Sequence, residues 1–419
     1  MRIALLTHYY APETGAPQRR WGALARRFAQ AGHQLFVVCP RPHYPSGRIP
    51  RAERGRHRVG RVERGDQGER ILRVAHLMHG QDIITRTLDH LVSSASMAYR
   101  LDRLWRHPEA RPEVIVVTVP AIPTLLAAWA LARRYSLPMV VEMRDAWPDL
   151  VTHTGGLSRD ARLIAEVKVR VHRAITNGQR TADHVITTTE HFAQVLRGRG
   201  IRRVDVVRNG TDLAHRPLLP PVGRGQDEGA RRPLNCLYLG NMGRSQGLDT
   251  LVYAAAALAK AGVPISVRLI GHGSDRQRLA QLVARTKAPV TIYDRIPPEQ
   301  VMGHYLWADT VVVSLRDWEP FRWTIPSKLF EVLAVGRHIT GLLDGEAAQV
   351  LRDSGAGDVL APGDAQGLAD LWRRLQSHRE ELDRGDVGRR WVADHADDDI
   401  LARRYLEILQ RVCDEHEGS

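Results

Sequence analysis

The chain has 419 residues, of which 43% are hydrophobic and 26% charged, which is ordinary for a soluble globular protein and enough for two domains with separate cores. Three cysteines lie far apart without CxxC spacing, which argues against a disulfide framework or a structural zinc site and fits a reducing compartment. The net charge is +13, and the segment between Gln18 and Arg73 contains 14 arginines but only four acidic residues. Because no nucleic-acid-binding motif accompanies this charge, we expect no nucleic acid partner.

The first half of the chain alternates short β-branched runs with longer amphipathic stretches. The strand-like runs lie at residues 3–6, 34–38, 114–117, 138–141 and 184–187. This alternation is typical of βα units around a buried parallel sheet. Because Met1 and Arg2 lead directly into the first run, we expect no secretory signal.

Two stretches of the first half depart from this pattern. Residues 114–132 are uncharged, but Pro120 and Pro123 separate a β-branched run from an alanine- and leucine-rich run. A strand, a turn and a buried helix therefore explain the stretch better than a membrane span. Residues 48–70 are rich in arginine and glycine and nearly lack large apolar side chains, which predicts a mobile loop.

A second series of strand-like runs follows a segment rich in proline, glycine and charge. These runs lie near residues 234–239, 265–270, 290–292, 310–313 and 338–339. We predict an α/β protein with two doubly wound, Rossmann-like domains at residues 1–212 and 234–395, joined by a linker at 213–233. Residues 396–419 carry an amphipathic helix that is expected to pack back on the first domain. Ligands are expected at the carboxyl ends of strands, in a cleft between the domains.

Candidate site residues follow the strands of the first domain. Gly15 precedes a helix, where a glycine lets a phosphate approach the backbone, although a plain loop is the alternative. Arg144 and Asp145 follow a buried strand, and Asp145 could orient or deprotonate a hydroxyl nucleophile. An internal ion pair between Arg144 and a carboxylate is the alternative. Asn209 opens a glycosylation sequon that we interpret as a turn.

The second domain opens with a strand followed by a glycine-rich loop at residues 240–247. A strand, such a loop and then a helix form a phosphate cradle by geometry. A second loop that permits close backbone approach begins at Gly271. The candidate residues of the first loop are Gly240, Asn241, Gly243, Arg244 and Gln246.

The segment at residues 325–336 is the most informative part of the chain. Pro326 suits the start of a helix, and Ser327 can cap the free N–H groups there. Lys328 and Glu331 lie three residues apart and therefore share one helical face near the N-terminus. A cation beside free N–H groups can bind a phosphate, and the carboxylate can hold a sugar hydroxyl. A capped surface helix with a Lys328–Glu331 ion pair is the alternative.

In their order and their placement at strand ends, these motifs resemble the retaining glycosyltransferases of the GT4 family, which have the GT-B fold. The likeness is strongest to the subgroup of bacterial surface polysaccharide synthesis, of the colanic-acid and O-antigen type. The motifs that carry it lie at residues 10–15, 43–47, 144–148, 208–210, 240–247, 325–336, 344–346 and 362–364. The resemblance implies that the second domain binds a nucleotide-diphosphate sugar and the first domain the acceptor.

The resemblance also implies roles for single residues. The diphosphate would face residues 240–247 and Lys328, the ribose would face Glu331, and the catalytic residues would be Asp145, Arg144 and Lys328. The family is generally metal-independent, so we expect no metal and no cofactor besides the donor. Attack from the face of departure, through an oxocarbenium-like state, would retain the anomeric configuration. The implied donor contacts are Gly15, Asn209, Gly240, Asn241, Gly243, Arg244, Gln246, Gly271, Lys328, Leu329 and Glu331.

Three positions depart from the family's pattern. Many relatives carry an arginine and a lysine where this chain has Asn241 and Gln246, which leaves the phosphate charge to Arg244 and Lys328. Trp323 stands where a glutamate usually precedes Glu331 by eight residues. A histidine is common near position 144, where this chain has an arginine. These departures concern the phosphate contacts, the donor sugar and the base, respectively.

The sequence thus predicts a metal-independent, retaining glycosyltransferase at the cytoplasmic face of the membrane. It would move a sugar of the N-acetylated hexosamine type from a UDP donor to a lipid-linked or other glycan acceptor. The basic segment at residues 18–73 would hold it to anionic lipid near a polyprenyl diphosphate acceptor. A non-hydrolysing UDP-sugar epimerase and a non-catalytic nucleotide-sugar-binding regulator are the alternatives.

Overall fold

The computed structural model describes residues 1–44, 46–80, 82–119, 121–144, 176–177, 179–222 and 232–418. The chain divides into two compact units. Unit 1 comprises Met1–Arg208 and Asp398–Ser419, and unit 2 comprises Asn209–Asp397. The C-terminal segment of the chain therefore belongs to the same unit as the N-terminus.

Unit 1 is built on an eight-stranded sheet of order β3-β4-β2-β1-β5-β6-β7-β8. All its strand pairs are parallel except β3 with β4. Every residue of β5 is buried, as expected for a strand covered on both faces. The strands are β1 (Arg2–Leu6), β2 (Gln34–Pro40), β3 (Val62–Arg64), β4 (Arg70–Val74), β5 (Val114–Val119), β6 (Met139–Met143), β7 (His184–Thr187) and β8 (Val204–Val206).

The helices of unit 1 follow the strands and cover the sheet. Besides the C-terminal helix of the chain, the described helices of this unit are α1 (Ala16–Gln30), α2 (Ile83–Trp105), α3 (Ile122–Tyr135) and α4 (Glu190–Gly198). The uncharged stretch is therefore a strand followed by a helix, as predicted from its prolines. In the part of the chain that the structure describes, no helix has the length and apolar character of a membrane span.

The arginine-rich segment of unit 1 is more ordered than its composition predicts. It contains a 3₁₀ turn, Arg51–Glu53, and strand β3, which pairs antiparallel with β4. The reason is the buried Arg73, which donates to Glu63 Oε1 at 2.5 Å and to the Ala11 carbonyl at 2.7 Å. This ion pair fixes β3 against the sheet, so the prediction of a mobile loop was wrong for these residues.

Unit 2 is built on a six-stranded parallel sheet of order β11-β10-β9-β12-β13-β14. The strand order reverses between β9 and β12, which is where doubly wound sheets bind ligands. The strands are β9 (Leu234–Leu239), β10 (Ile265–Ile270), β11 (Val290–Tyr293), β12 (Thr310–Ser314), β13 (His338–Leu342) and β14 (Gly357–Leu360). The helices are α5 (Asp249–Lys260), α6 (Arg276–Thr286), α7 (Pro298–Trp307), α8 (Ser327–Val335), α9 (Gly345–Ser354), α10 (Ala365–Ser377) and α11 (Val387–His395).

Alternating residues of β9 show that both faces of this sheet are covered. Cys236 and Tyr238 pack into one apolar cluster, whereas Leu237 packs into another. Because neighbouring side chains of a strand point to opposite faces, helices must lie on each side of the sheet. The prediction of two doubly wound α/β domains is confirmed.

The predicted linker and the C-terminal helix take definite places. Residues 213–222, the first described part of the linker, belong to unit 2, where Leu219 is buried and its N–H donates to the Val335 carbonyl at 3.0 Å. Helix α12 (Asp398–Glu417) belongs to unit 1. It buries Leu401, Tyr405 and Leu409 in the core that α1 also lines.

Candidate functional site

Two glycine loops meet at the switch point of the unit 2 sheet. Gly240 follows β9 with φ +154°, and Gly271 follows β10 with φ +147°. The Gly240 N–H donates to the Ile270 carbonyl at 2.9 Å, and the Met242 N–H to the His272 carbonyl at 2.9 Å. A Cβ on Gly271 would lie 1.8 Å from the Gly240 carbonyl oxygen, so only glycine fits there. The two loops are thus held backbone against backbone.

Lys328 places a cation beside these loops. Its Nζ lies 3.8 Å from the centre of the Tyr238 ring, and a Cβ on Gly240 would lie 2.5 Å from that Nζ. The ammonium is buried and has no hydrogen-bond acceptor among the described residues. Burial lowers the pKa of Lys328 to about 7, although the nearby Glu331 carboxylate raises it. A buried cation without an acceptor is the kind of group that a bound anion satisfies.

The start of α8 lies next to this lysine and lacks a side-chain cap. The helix begins at Ser327, and Pro326 occupies the cap position. The prediction that Ser327 caps the helix was therefore wrong, because its backbone is already helical. Leu329 is fully buried, and its N–H donates to the Pro326 carbonyl at 2.9 Å. Its N–H is therefore not free to bind a nucleotide sugar. The uncapped N-terminus adds to the attraction for an anion.

The neutral residues of the cradle hold the loop together. The Tyr238 hydroxyl donates to the Asn241 carbonyl at 2.6 Å and contacts Gln246 Oε1 at 3.2 Å. Ser314 Oγ donates to the Gln246 carbonyl at 2.6 Å. Gln246 is therefore a loop-shaping residue in this structure. Arg244, in contrast, is exposed at the loop surface.

Glu331 has an ionic partner that sequence reasoning missed. Its Oε2 lies 3.6 Å from Nη2 of Arg216, a residue assigned to the linker on composition. No ion pair between Lys328 and Glu331 lies within 4 Å among the described residues. The alternative of a surface helix with that ion pair therefore does not describe α8.

A pocket of about 280 Å³ adjoins the cradle in unit 2. Arg316 lines it, and its N–H donates to the Ser245 carbonyl at 2.9 Å. Sequence reasoning also missed this arginine. It follows β12 at the switch point of the sheet, where a polar residue is a candidate for ligand binding. The lining residues are Gly247, Asp249, Thr250, Tyr253, Arg316, Asp317, Pro362, Gly363 and Ala365.

The candidate site residues predicted in the first domain lie at separate positions. Gly15 is the cap residue of α1 with extended backbone, φ −175°, which any residue can adopt. Arg144 follows β6, and its carbonyl accepts from Thr188 Oγ1 at 3.0 Å. Asp145 lies outside the described residues. Asn209 is the first residue of unit 2.

The acidic residue before Arg144 has a structural role. Glu142 is fully buried and accepts from Arg20 Nε at 3.0 Å and from Trp21 Nε1 at 2.8 Å. Glu142 therefore pairs with Arg20 of α1, and the alternative of an ion pair between Arg144 and a carboxylate stays a prediction. Arg20 and Arg73 both lie inside unit 1, so part of the basic segment is not available to a partner.

Glycosyltransferase family models match both units. A glycosyl transferase 4-like domain matches residues 15–210, and a domain of the glycosyl transferases group 1 matches residues 233–378. The chain is 23% identical over 356 residues to WcaI of Escherichia coli (strain K12), a protein assigned to colanic acid biosynthesis as a glycosyl transferase. That match covers 80% of this chain and 82% of WcaI.

Solved structures show the same fold. Sucrose-phosphate synthase from Thermosynechococcus elongatus superposes with a TM-score of 0.73 at 18% identity, over 98% of each chain. HepE from Anabaena, in complex with UDP, superposes with a TM-score of 0.67 at 15% identity, over 98% of this chain and all of HepE. At these identities the likeness concerns the fold.

Proposed function

The chain belongs to the glycosyltransferases whose 4-like and group 1 domains it carries, and we propose that it moves a sugar from a nucleotide-diphosphate donor to a glycan acceptor in polysaccharide biosynthesis. The observation that carries this proposal is Lys328, a buried ammonium to which no described residue offers an acceptor, beside two glycine loops and an uncapped helix. A diphosphate supplies the negative charge and the acceptor oxygens that this site lacks.

The donor diphosphate would draw Lys328 away from its aromatic neighbour. In the free protein the ammonium lies over the Tyr238 ring. A cation–π contact of about 0.5–2 kcal/mol is weaker than the charge-assisted hydrogen bonds that a phosphate offers. Lysine has four rotatable bonds, and the absence of a side chain at Gly240 leaves the path open. The exposed Arg244 would add a second positive charge.

The nucleotide is proposed to be uridine-based, and the sugar an N-acetylated hexosamine. HepE, which shares the fold, binds UDP and UDP-glucose, and the match to WcaI supports a role in surface polysaccharide synthesis. Glu331 would accept a hydrogen bond from the ribose hydroxyls. To do so it would share its carboxylate with Arg216, whose Nη2 lies 3.6 Å away.

Transfer is proposed to retain the anomeric configuration and to need no divalent cation at the donor. As the bond to the anomeric carbon breaks, negative charge grows on the leaving phosphate. Lys328 and the N–H groups at the start of α8 would stabilise that charge more in the transition state than in the bound donor. The acceptor hydroxyl would attack from the same face. Asp145 and Arg144 are the candidates to orient it.

The acceptor is proposed to be lipid-linked, and the basic segment to hold the protein at the cytoplasmic surface of an anionic membrane. Nine arginines of this segment are exposed, and each one near the surface contributes about 1 kcal/mol to such binding. Co-sedimentation should occur with anionic but not with neutral vesicles; equal binding to both would contradict this part. The exposed arginines are Arg19, Arg48, Arg51, Arg54, Arg56, Arg58, Arg61, Arg64 and Arg70.

A donor screen followed by a transfer assay tests the proposal. UDP and one UDP-sugar should raise the melting temperature, and sugar should reach a polyprenyl-diphosphate glycan without added Mg²⁺ or Mn²⁺. The product linkage should keep the donor's anomeric configuration. Formation of an epimerised UDP-sugar in the absence of any acceptor would instead identify an epimerase. Donor binding without turnover of any acceptor would favour a regulator.

A further inference from the structure

A cluster of histidines gathers at the carboxyl edge of the unit 1 sheet. β4, β2 and β1 are neighbours in the sheet, so the loops after them meet. His8 follows β1, His43 follows β2, and His76 and His79 follow β4. Asp89 is fully buried on α2 and faces these loops. Five titratable side chains from four segments are thus brought together.

Four of these residues have the spacing of a metal site. One ligand atom from each of His43, His76, His79 and Asp89 lies within 4.8 Å of the others. Asp89 Oδ2 lies 3.7 Å from His43 Nε2 and 3.8 Å from His79 Nε2. In a tetrahedral zinc site with bonds of about 2.0–2.1 Å, ligand atoms are about 3.4 Å apart. Small side-chain rotations therefore suffice to close the cluster on an ion.

The outer hydrogen bonds of the cluster already orient its ligand atoms. His43 Nδ1 lies 2.8 Å from the Arg41 carbonyl, and His79 Nδ1 lies 2.6 Å from the Gly80 carbonyl. Because a carbonyl only accepts, each Nδ1 carries the proton and each Nε2 keeps its lone pair. Asp89 Oδ1 accepts from the Leu77 N–H at 2.8 Å, which leaves Oδ2 to the histidines. Metal-binding histidines are held in this way.

The inner atoms of the cluster have no hydrogen-bond partner among the described residues. This is true of Nε2 of His43, His76 and His79 and of Asp89 Oδ2. The histidines are at most 9% exposed, and Asp89 is 0% exposed. Buried polar atoms without partners are costly unless a ligand satisfies them.

We propose that His43, His76, His79 and Asp89 bind one Zn²⁺ ion. Imidazole nitrogens with one carboxylate suit zinc, and four protein ligands make the closed site that is typical of a structural ion. The ion ties the loops after β2 and β4 to helix α2. It lies in unit 1 and takes no part in the donor chemistry proposed for unit 2.

Metal titration of the full-length chain, produced without a polyhistidine tag, tests the site. After removal of metal by a chelator, Zn²⁺ is titrated in competition with a chromophoric chelator. One ion per chain is expected, and it should raise the melting temperature. X-ray absorption at the zinc edge should show only nitrogen and oxygen ligands, at about 2.0–2.1 Å. No tight binding to the wild-type chain would overturn the proposal, as would sulfur ligands.

Single substitutions assign the ligands. His76→Gln and His79→Gln should each weaken Zn²⁺ binding by at least about tenfold. His107→Gln is the matched control in unit 1, because its side chain is 71% exposed, and it should bind Zn²⁺ as the wild type does. Far-UV circular dichroism and an unchanged response to UDP confirm that the variants fold.

His8 lies next to the proposed ligands but is not one of them, so its substitution is the closest comparison for theirs. Its Nε2 lies 3.0 Å from Asp89 Oδ2, without the alignment of a hydrogen bond, and His8, Asp89 and His90 form a second close group. His8→Gln should leave one Zn²⁺ bound. Loss of zinc in His8→Gln together with its retention in His76→Gln would overturn the assignment.

Discussion

At the carboxyl ends of their strands, both units bury polar groups that find no partner in the described part of the chain, but the groups attract opposite charges. In unit 2 the group is the Lys328 ammonium beside the glycine loops. In unit 1 it is a set of imidazole lone pairs around Asp89 Oδ2. The first arrangement suits an anion such as a diphosphate, and the second suits a metal cation. The same edge of the same kind of fold thus carries two different chemistries.

Some buried polar groups of both units have hydrogen-bond partners. His338 in unit 2 is fully buried, but its Nδ1 contacts Thr310 Oγ1 at 2.8 Å and its Nε2 contacts Asp358 Oδ2 at 2.9 Å. Glu142 in unit 1 is likewise bonded through both oxygens. Other buried atoms, such as Trp105 Nε1 and Thr187 Oγ1, have no hydrogen-bond partner among the described residues either, but each is a single neutral group. The contrast is what makes Lys328 and the histidines candidates for ligand binding.

Replacement of Lys328 should have the largest effect on the unit 2 site. Lys328→Met should lower the transfer rate ten- to more than a hundredfold, since one charge-assisted phosphate contact contributes ~1.5–3 kcal/mol. It should also make the free protein at least as stable at pH 7, because a buried charge is removed. Steady-state kinetics measures the transfer rate, and urea unfolding measures the stability. A variant that loses stability but keeps its rate would make Lys328 a structural residue.

The pH dependence of stability tests the burial of the same ammonium. Its pKa is lowered from 10.5 to about 7 in the folded protein. Between these values the unfolded chain binds a proton that the folded chain has released, so stability rises with pH, by at most about 1.4 kcal/mol per pH unit. Below pH 7 both states bind the proton and the slope vanishes. The slope should be absent in Lys328→Met; an identical slope there would contradict the assignment.

The contact between the two glycine loops should tolerate no side chain. Gly271→Ala would place a Cβ 1.8 Å from the Gly240 carbonyl at a φ of +147°, and strain of this kind costs ~1–3 kcal/mol. It should lower both the stability of the protein and its response to UDP. Gly303→Ala, in α7 with open space around it, should be neutral or slightly stabilising. Equal effects of the two substitutions would count against a tight cradle.

Replacement of Glu331 should have the smallest effect. It distinguishes a residue that binds the ribose from one that only pairs with Arg216. If it binds the ribose, Glu331→Ala should raise KM for the donor about tenfold, or ~1.4 kcal/mol. Arg216→Ala should leave KM within a few-fold, because the arginine contacts only the carboxylate at 3.6 Å. If Glu331 serves only that ion pair, the two variants should lose similar stability and keep the wild-type KM.

The sequence predicts the regular parts of this fold well, because buried parallel strands and their helices leave a clear alternation. It fails where a long-range partner decides the structure. Strand β3 forms because Arg73 reaches Glu63, and Glu142 is satisfied by Arg20, which precedes it by more than a hundred residues. Neither pairing leaves a local pattern.

The candidate sites follow the same rule: residues in local motifs can be predicted from the sequence, whereas residues brought together from distant segments cannot. Lys328 and the glycine loops stand in motifs that a strand, loop and helix explain locally. Arg216 reaches Glu331 from a segment whose composition indicates a linker. The histidines come from loops after three different strands and share no short motif, so only the order of strands in the sheet brings them together.

The most direct test of the account is the thermal response to UDP of the wild-type chain and of Lys328→Met. The account predicts a clear rise in melting temperature with UDP for the wild type and little or none for the variant. Equal rises for the two proteins, or no response of the wild type to any nucleoside diphosphate, would contradict it.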